Sequence, residues 1–227
     1  MDHRHKEDGC CASRHEPQPP AYPPAPAARP RIPHLAGTSP LKILLILLVL
    51  LVSGSACADP RARPTEWAQP MLDVKLGNFY KVSDELYRSR QPGDEEMEQL
   101  AAMGIRSVLN LREHHSDDDE AKATDLTLYR VPMNAGDIND ELVTKALDAL
   151  AAAPKPALVH CWHGSDRTGA IVAMYRMVFQ GWPRQKAIDE FINGGYGYHR
   201  SVYPNIEHYL ETVDIAGLRQ RVAQQIQ

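Results

Sequence analysis

The sequence predicts an α/β domain in which a mostly parallel central sheet is flanked by helices. Short β-rich runs alternate with helical patterns along the chain, as they do in domains with a parallel sheet. The run 156–160 is apolar and bounded by prolines, which is typical of a strand buried on both faces. The run 170–179 is apolar almost all round, so we expect a helix enclosed in the core.

The composition agrees with one globular domain and narrows the function. The 227 residues are 43% hydrophobic and 24% charged, which excludes collagen-like, coiled-coil and wholly disordered chains. Lysine and arginine number 25 against 29 aspartate and glutamate residues, for a net charge of -4. Because there is no chain-wide basic field, we expect no nucleic-acid partner.

The N-terminal region predicts export. Residues 1–40 are rich in proline and lack apolar periodicity, which predicts a disordered arm. Residues 41–58 place Lys42 before the apolar run 43–52 and small residues after it, which is the order of a secretory signal peptide. That run is far shorter than the roughly 20 residues of a membrane-spanning helix. We therefore expect a periplasmic or otherwise exported protein.

The end of the signal peptide leaves two states open. Ala56-Cys57-Ala58 fits cleavage before Asp59 and release of the chain. Cleavage before Cys57 with a lipid on its thiol would anchor the protein to the membrane, facing the periplasm, but Gly54 stands where such sites carry a large aliphatic residue. Release is favoured, and we expect membrane contact only through an uncleaved signal or a lipid on Cys57. The arm before the signal exceeds an ordinary n-region, which favours a translation start further downstream.

The mature chain is expected to begin with a lead-in at 59–80, followed by the folded domain at 81–215 and a C-terminal tail at 216–227. The folded domain opens with 86–89, where polar and apolar residues alternate as in an edge strand. Arginines on an edge strand are usually solvated or paired with acids, so Arg88 is left out of the candidate site.

Helices and strands then alternate. Residues 94–103 carry apolar side chains at helical spacing and acids in the first turn, and they predict a helix. The β-rich runs 105–111 and 126–131 predict strands, and the acidic run 117–120 between them predicts a solvated loop or helix start. Residues 140–153 are apolar on one helical face and predict a further helix. Two more helices are predicted at 183–192 and 203–213.

The chemistry concentrates in residues 161–167, which we call the phosphate loop and which join the strand 156–160 to the helix after it. Cys161 begins the loop and Arg167 ends it. Such a loop can curl with its N–H groups pointing inward while the guanidinium closes the ring, which matches the oxygens of a phosphate. The dipole of the following helix adds positive potential. The expected phosphate-binding residues are Trp162, His163, Gly164, Ser165, Asp166 and Arg167.

The same field favours the thiolate form of Cys161, the one cysteine left after removal of the signal peptide. A sulfur nucleophile beneath a bound phosphate can attack phosphorus in line and form phosphocysteine, while Arg167 stabilises the equatorial oxygens. The Thr168 hydroxyl is placed to hydrogen-bond the sulfur and help it leave. We expect His160 to anchor the loop rather than transfer protons, and we expect no metal and no cofactor.

These residues resemble the signature of the cysteine-dependent protein tyrosine phosphatase superfamily, which is histidine, cysteine, five residues and arginine, here followed by Thr168-Gly169. Three other segments resemble its bacterial periplasmic dual-specificity branch, the TpbA-type tyrosine phosphatases: 86–92, Gly181-Trp182 and 194–197. The resemblance covers about 76–215. It implies a dual-specificity phosphatase-like fold, a phosphorylated protein substrate, and hydrolysis of phosphotyrosine with some phosphoserine or phosphothreonine.

The resemblance also implies a general acid upstream of the cysteine, an aspartate that protonates the leaving phenolate and then activates water. Between the strand 126–131 and the helix 140–153 the candidates are Asp137 and Asp140. Asp137 is preferred because it lies in mid-loop, whereas Asp140 with Asn139 is expected to cap the helix. Tyr196 and His199 are expected to be incidental.

Three alternative functions use a similar loop. A rhodanese-like sulfurtransferase typically has a loop one residue shorter, because a tighter ring favours sulfur over phosphate. An inositol-phosphate phosphatase adds basic residues to the loop, whereas this loop offers Asp166, whose charge repels a polyanion. A phosphate-binding pseudophosphatase would capture phosphorylated partners without turnover, but Cys161 and Arg167 are intact.

Overall fold

The computed structural model describes residues 63–225. The proline-rich arm 1–40, the signal peptide 41–58 with Cys57, and the first residues of the lead-in lie outside the described residues, as do the last two residues of the chain. In the part of the chain that the structure describes, no helix has both the length and the apolar character needed to cross a membrane.

A six-stranded sheet forms the centre of the domain. Its strands are β1 (Gln69–Pro70), β2 (Tyr80–Lys81), β3 (Leu86–Ser89), β4 (Ser107–Asn110), β5 (Thr127–Arg130) and β6 (Ala157–His160). Their order in the sheet is β1-β2-β3-β6-β4-β5. The pairs β3–β6, β6–β4 and β4–β5 are parallel, and β1 and β2 add an antiparallel edge. The predicted α/β class with a mostly parallel sheet is confirmed.

Helices cover both faces of this sheet. They are α1 (Asp94–Ala102), α2 (Asp140–Ala152), α3 (Asp166–Val178), α4 (Arg184–Asn193), α5 (Pro204–Thr212) and α6 (Ile215–Gln225). Successive strand residues point to opposite faces, so Leu158 packs with Met97 of α1, whereas Val159 packs with the core that contains α3. This two-sided cover explains why Ala157, Leu158 and Val159 are all apolar.

The prediction that 86–89 forms an edge strand is wrong. β3 lies between β2 and β6, so Leu86 is fully buried and Arg88 is 1% exposed. The lead-in supplies the two outer strands, and each has only two residues, which is too short for a periodic signal. The folded unit therefore begins within the lead-in 59–80, where Ala68 and Phe79 are buried.

The segment 216–227, expected to be a tail, contains most of α6. Leu218 and Val222 are buried against the core that contains α2 and α3. Asp214 Oδ1 accepts hydrogen bonds from the N–H groups of Ala216 and Gly217, both at 3.1 Å, and so caps the helix. Two buried apolar residues four positions apart are too weak a sequence pattern to separate this helix from a tail.

Candidate active site

The phosphate loop lies at the carboxyl end of the parallel strands, which is the edge where α/β sheets bind ligands. Two of its carbonyl groups are held from outside the loop. The Gln91 N–H donates to the Trp162 carbonyl at 3.1 Å, and Asn78 Nδ2 donates to the His163 carbonyl at 2.9 Å. Because these carbonyls are bound to donors outside the loop, the neighbouring N–H groups are available to an anion.

A third carbonyl of the loop is held by Arg88. Its Nη2 donates to the Gly164 carbonyl at 2.6 Å, and its guanidinium lies 3.6 Å from the centroid of the Tyr196 ring. Burial lowers the pKa of Arg88. The expectations that Arg88 is solvated and that Tyr196 is incidental are wrong, because the interior position of β3 directs the arginine beneath the loop.

Gly164 occupies a position that no other residue fits. Its φ is +71°, in the left-handed region where a Cβ atom is disfavoured. A Cβ at this position would lie 2.4 Å from the Ser89 carbonyl oxygen and 2.7 Å from the Arg90 nitrogen. The loop therefore packs directly on the end of β3, and this contact fixes its height above the sheet.

Arg167 and Thr168 lie in the first turn of α3, and Cys161 begins the loop that leads into this helix. Cys161 is 2% exposed and directly follows β6. Among residues 63–225, the buried atoms Arg167 Nε and Thr168 Oγ1 have no hydrogen-bond partner, and no bond joins Thr168 to the sulfur. Buried polar groups are normally paired, so two orphaned donors in the first turn of α3 are suited to bind an oxyanion.

His160 is fixed beneath the loop by a buried carboxylate. Its ring is fully buried, with Nε2 2.8 Å from Asp117 Oδ2 and Nδ1 3.3 Å from the Cys161 carbonyl oxygen. Asp117 also accepts hydrogen bonds from Gln91 at 2.8 Å and from Asn110 at 3.0 Å. Burial alone would raise the pKa of Asp117, but the hydrogen bonds and charge of His160 outweigh it and the pKa is lowered.

The prediction that the acidic run 117–120 is a solvated surface is wrong for Asp117, which is 4% exposed. A uniformly charged run gives no sign that one member turns inward toward a histidine 43 positions away. The potential ligand atoms of His115, Asp117 and Glu120 lie within 4.8 Å of one another, and in the described part of the chain this is the one group of three side chains close enough to share a metal ion. The Asp117 carboxylate, however, already accepts three hydrogen bonds.

Asp166 does not face a bound anion as a free charge. It is 6% exposed, and its carboxylate accepts the His199 N–H at 2.9 Å while its other oxygen lies 2.9 Å from His199 Nδ1. The expectation that His199 is incidental is therefore wrong, because His199 contacts both oxygens of the Asp166 carboxylate. A cavity of about 280 Å³, which we call the reaction cavity, opens beside these groups. Its walls include Ala135, Trp162, His163, Arg167, His199 and Val202.

The segment 133–139, which we call the acid loop, borders the reaction cavity. Arg167 Nη1 donates to the Met133 carbonyl at 3.2 Å, and Asn205 Nδ2 donates to the Ala135 carbonyl at 2.9 Å. Both contacts tie the acid loop to the phosphate loop and to α5. Asp137 belongs to this segment and is exposed.

The two candidate acids differ in their surroundings. Asp140 is the first residue of α2 and is engaged by Tyr209, whose hydroxyl donates at 3.0 Å, and by Arg221 at 2.8 Å. Burial and the Asp140 carboxylate raise the pKa of Tyr209, so that hydroxyl keeps its proton. The Asp137 carboxylate has one contact of 3.5 Å with Asn139 and is otherwise available.

Comparison with known proteins places the chain in a family. Residues 74–218 match the tyrosine phosphatase family. The chain belongs to this family. It is 32% identical over 196 residues to the dual specificity protein phosphatase TpbA of Pseudomonas aeruginosa, covering 82% of this chain and 87% of that protein. The crystal structure of TpbA superposes with a TM-score of 0.65 at 32% identity, covering 71% of this chain and 99% of that one.

A second relative is the inositol diphosphatase SIW14 of Saccharomyces cerevisiae. It is 32% identical over 124 residues, covering 50% of this chain and 44% of that protein. Its catalytic domain has a TM-score of 0.58 at 25% identity, covering 67% of this chain and 95% of that one.

The family match and the similarity to TpbA confirm the predicted family, the dual-specificity phosphatase-like fold and the phosphatase activity. The chain is a tyrosine or dual-specificity phosphatase.

Proposed function

We propose that this phosphatase hydrolyses phosphotyrosine in an exported protein through a phosphocysteine intermediate. The phosphate loop carries the proposal, because Cys161 and Arg167 begin and end a loop whose carbonyls are tied outward. Inward N–H groups and one guanidinium can then hold the three non-bridging oxygens of a phosphoryl group.

In the first step the Cys161 thiolate attacks phosphorus, a sulfur–phosphorus bond forms and the bond to the tyrosine oxygen breaks. The leaving phenolate takes a proton from Asp137, whose carboxylate is free of ion pairs among the described residues. Arg167 and the loop N–H groups stabilise the charge that develops on the equatorial oxygens.

In the second step a water molecule attacks phosphorus and gives a proton to Asp137, and inorganic phosphate leaves. The sulfur–phosphorus bond breaks and the thiolate of Cys161 is restored. The orphaned Thr168 hydroxyl stabilises that thiolate by donating to it, while the buried pair of His160 and Asp117 keeps the base of the loop in place.

The walls of the reaction cavity favour an aromatic substrate. Trp162 and Val202 line it and are 53% and 62% exposed, which is unusual for large apolar side chains. A phenyl ring can cover this apolar surface, whereas the shorter serine and threonine side chains cannot. A variant of TpbA has been solved in complex with phosphotyrosine, with a TM-score of 0.64 at 32% identity, covering 71% of this chain and 99% of that one.

Hydrolysis of an inositol phosphate is the second candidate, favoured by the similarity to SIW14. A substrate with several phosphates needs several unpaired cations. Beyond Arg167, the residues at positions 162–166 include no lysine or arginine. We therefore favour a singly phosphorylated side chain.

For the place of action, we propose the periplasm, after cleavage that leaves Asp59 at the N-terminus. The apolar run 43–52 and the small residues after it support this proposal. Mass spectrometry of the exported protein tests it, since a diacylated Cys57 would show a membrane anchor instead.

The function is tested by measuring kcat/KM on peptides that carry phosphotyrosine, phosphoserine or phosphothreonine, and on a diphosphoinositol. We expect phosphotyrosine to be the best substrate and the Cys161→Ser variant to be inactive while still binding vanadate. Faster hydrolysis of the diphosphoinositol would contradict the substrate class, and activity in Cys161→Ser would contradict the mechanism.

A further inference from the structure

A second cavity adjoins the reaction cavity, and its chemistry differs. It measures about 550 Å³, and we call it the flanking pocket. Trp162 and His163 line both cavities and so form the wall between them. The other residues of the flanking pocket are Arg90, Gln91, Arg112, His115 and Glu120.

Arg112 is the cation of the flanking pocket that lacks an acidic partner. Arg90 pairs with Glu96 at 2.6 Å, and His115 lies 3.0 Å from Glu120. Within residues 63–225, no carboxylate oxygen lies within 4.0 Å of the Arg112 guanidinium. Its one side-chain hydrogen bond goes to the neutral Gln91 amide oxygen at 3.0 Å.

The guanidinium of Arg112 is also held in place. It lies 4.0 Å from the centroid of the Trp162 ring, and the backbone N–H of Arg112, at the base of the side chain, donates to Asn110 Oδ1 at 2.7 Å. Burial, opposed by Asp117 and reinforced by the charge of Arg167, lowers the pKa of Arg112. A stacked and partly desolvated guanidinium loses little entropy when it binds a carboxylate, so it is suited to recognise one.

We propose that Arg112 is a specificity-determining residue that binds the side-chain carboxylate of an aspartate or glutamate next to the phosphotyrosine of the substrate. This inference rests on the proposed function, and it adds the sequence context in which that phosphotyrosine is hydrolysed. The phosphotyrosine enters the reaction cavity, and the acidic neighbour enters the flanking pocket.

The shared wall keeps the two side chains close in sequence. Trp162 and His163 each line both cavities, so one layer of side chains separates the two sites. An extended peptide advances about 3.3 Å per residue, so we place the acidic residue within two positions of the phosphotyrosine. A single guanidinium without an acidic partner fits one carboxylate better than a polyphosphate.

The experiment uses the full-length protein and two phosphotyrosine peptides that differ only in having glutamate or glutamine at the two positions on each side of the phosphotyrosine. We expect kcat/KM for the glutamate peptide to exceed that for the glutamine peptide by about tenfold. This is the lower end of the effect of a charge-assisted hydrogen bond, and we choose it because Arg112 is half-exposed. Arg112→Gln should bring that ratio to about one, and Arg112→Glu should invert it.

Two controls separate recognition from folding. Arg112→Lys keeps the charge and should retain part of the preference, and Arg106→Gln, an exposed arginine at the opposite end of the sheet, should retain all of it. The ratio of dissociation constants for the two peptides, measured on Cys161→Ser, should follow the same order without turnover.

Each contrary outcome has a distinct meaning. Equal kcat/KM for both peptides in the unsubstituted protein, or a preference retained in Arg112→Gln, would overturn the inference and leave the proposed function intact. No turnover of either peptide would overturn both. If a diphosphoinositol is hydrolysed faster than the peptides, and this rate is lower in Arg112→Gln, then Arg112 binds a second phosphate and the inference is overturned.

Discussion

Replacing Gly164 with alanine is expected to displace the phosphate loop. The φ of +71° costs an alanine about 1–2 kcal/mol. The added Cβ would lie 2.4 Å from the Ser89 carbonyl oxygen, whereas ordinary contacts begin at 3.4 Å, so the two groups must separate by 3.4 − 2.4 = 1.0 Å. A misplacement of about 1 Å at a reacting centre lowers the rate about 100-fold.

A matched control isolates the steric part of this effect. Gly104 has φ +91°, ends α1 away from the site, and a Cβ there would meet nothing within 4 Å. Gly104→Ala should therefore lower the free energy of unfolding by the same backbone contribution while the enzyme keeps its activity. The two variants are compared by urea unfolding and by kcat/KM on para-nitrophenyl phosphate. Activity of Gly164→Ala within threefold of the unsubstituted protein would refute the claim that direct contact with β3 sets the height of the loop.

Two further substitutions test the acid and the anchor. Asp137→Asn should lower kcat most for leaving groups as poor as tyrosine, by about 100-fold, whereas Asp140→Asn should act mainly on stability. Pre-steady-state kinetics measures the first effect and urea unfolding the second. A larger loss of kcat in Asp140→Asn would assign the general acid to Asp140. The pKa of Asp117 is lower in the folded protein than the value of 3.8 in the unfolded chain. Its carboxylate therefore stabilises the fold at pH values above 3.8, and this contribution is lost as the pH falls through the pKa of the folded state. Asp117→Asn should thus lower the free energy of unfolding by about 2 kcal/mol at pH 7, and this free energy should then fall less steeply on acidification. Urea unfolding at several pH values checks this. The same dependence on pH with and without the substitution would exclude Asp117 as the anchor.

The parts of the site that are contiguous in sequence could be predicted. The phosphate loop follows an apolar strand and opens a helix, so Cys161 and Arg167 are recognisable from spacing alone. Asp137 and Asp140 could be ranked because helix capping is a local property. The structure places Asp140 in the first turn of α2, but the cap itself is Asn139, whose side chain accepts the Leu142 N–H. The choice of Asp137 as the general acid stays a prediction.

The supporting residues could not be predicted, because they depend on contacts that are distant in sequence. Arg88 supports a carbonyl 76 positions away, and its burial follows from two-residue strands that leave no pattern. Asp117 is hidden in a charged run, and nothing local distinguishes it from its exposed neighbour Asp118. Arg112 follows a strand end and becomes meaningful once its stacking on Trp162 is seen.

The most direct test of the mechanism is to find the phosphoryl group on the enzyme. The Asp137→Asn variant is mixed with an aryl phosphate that has a good leaving group and is quenched with acid during turnover, and the peptide containing Cys161 is analysed by mass spectrometry. We expect one phosphoryl group on the Cys161 sulfur, absent when vanadate is added first. Continued turnover with no phosphoryl group on this peptide would contradict covalent catalysis by Cys161.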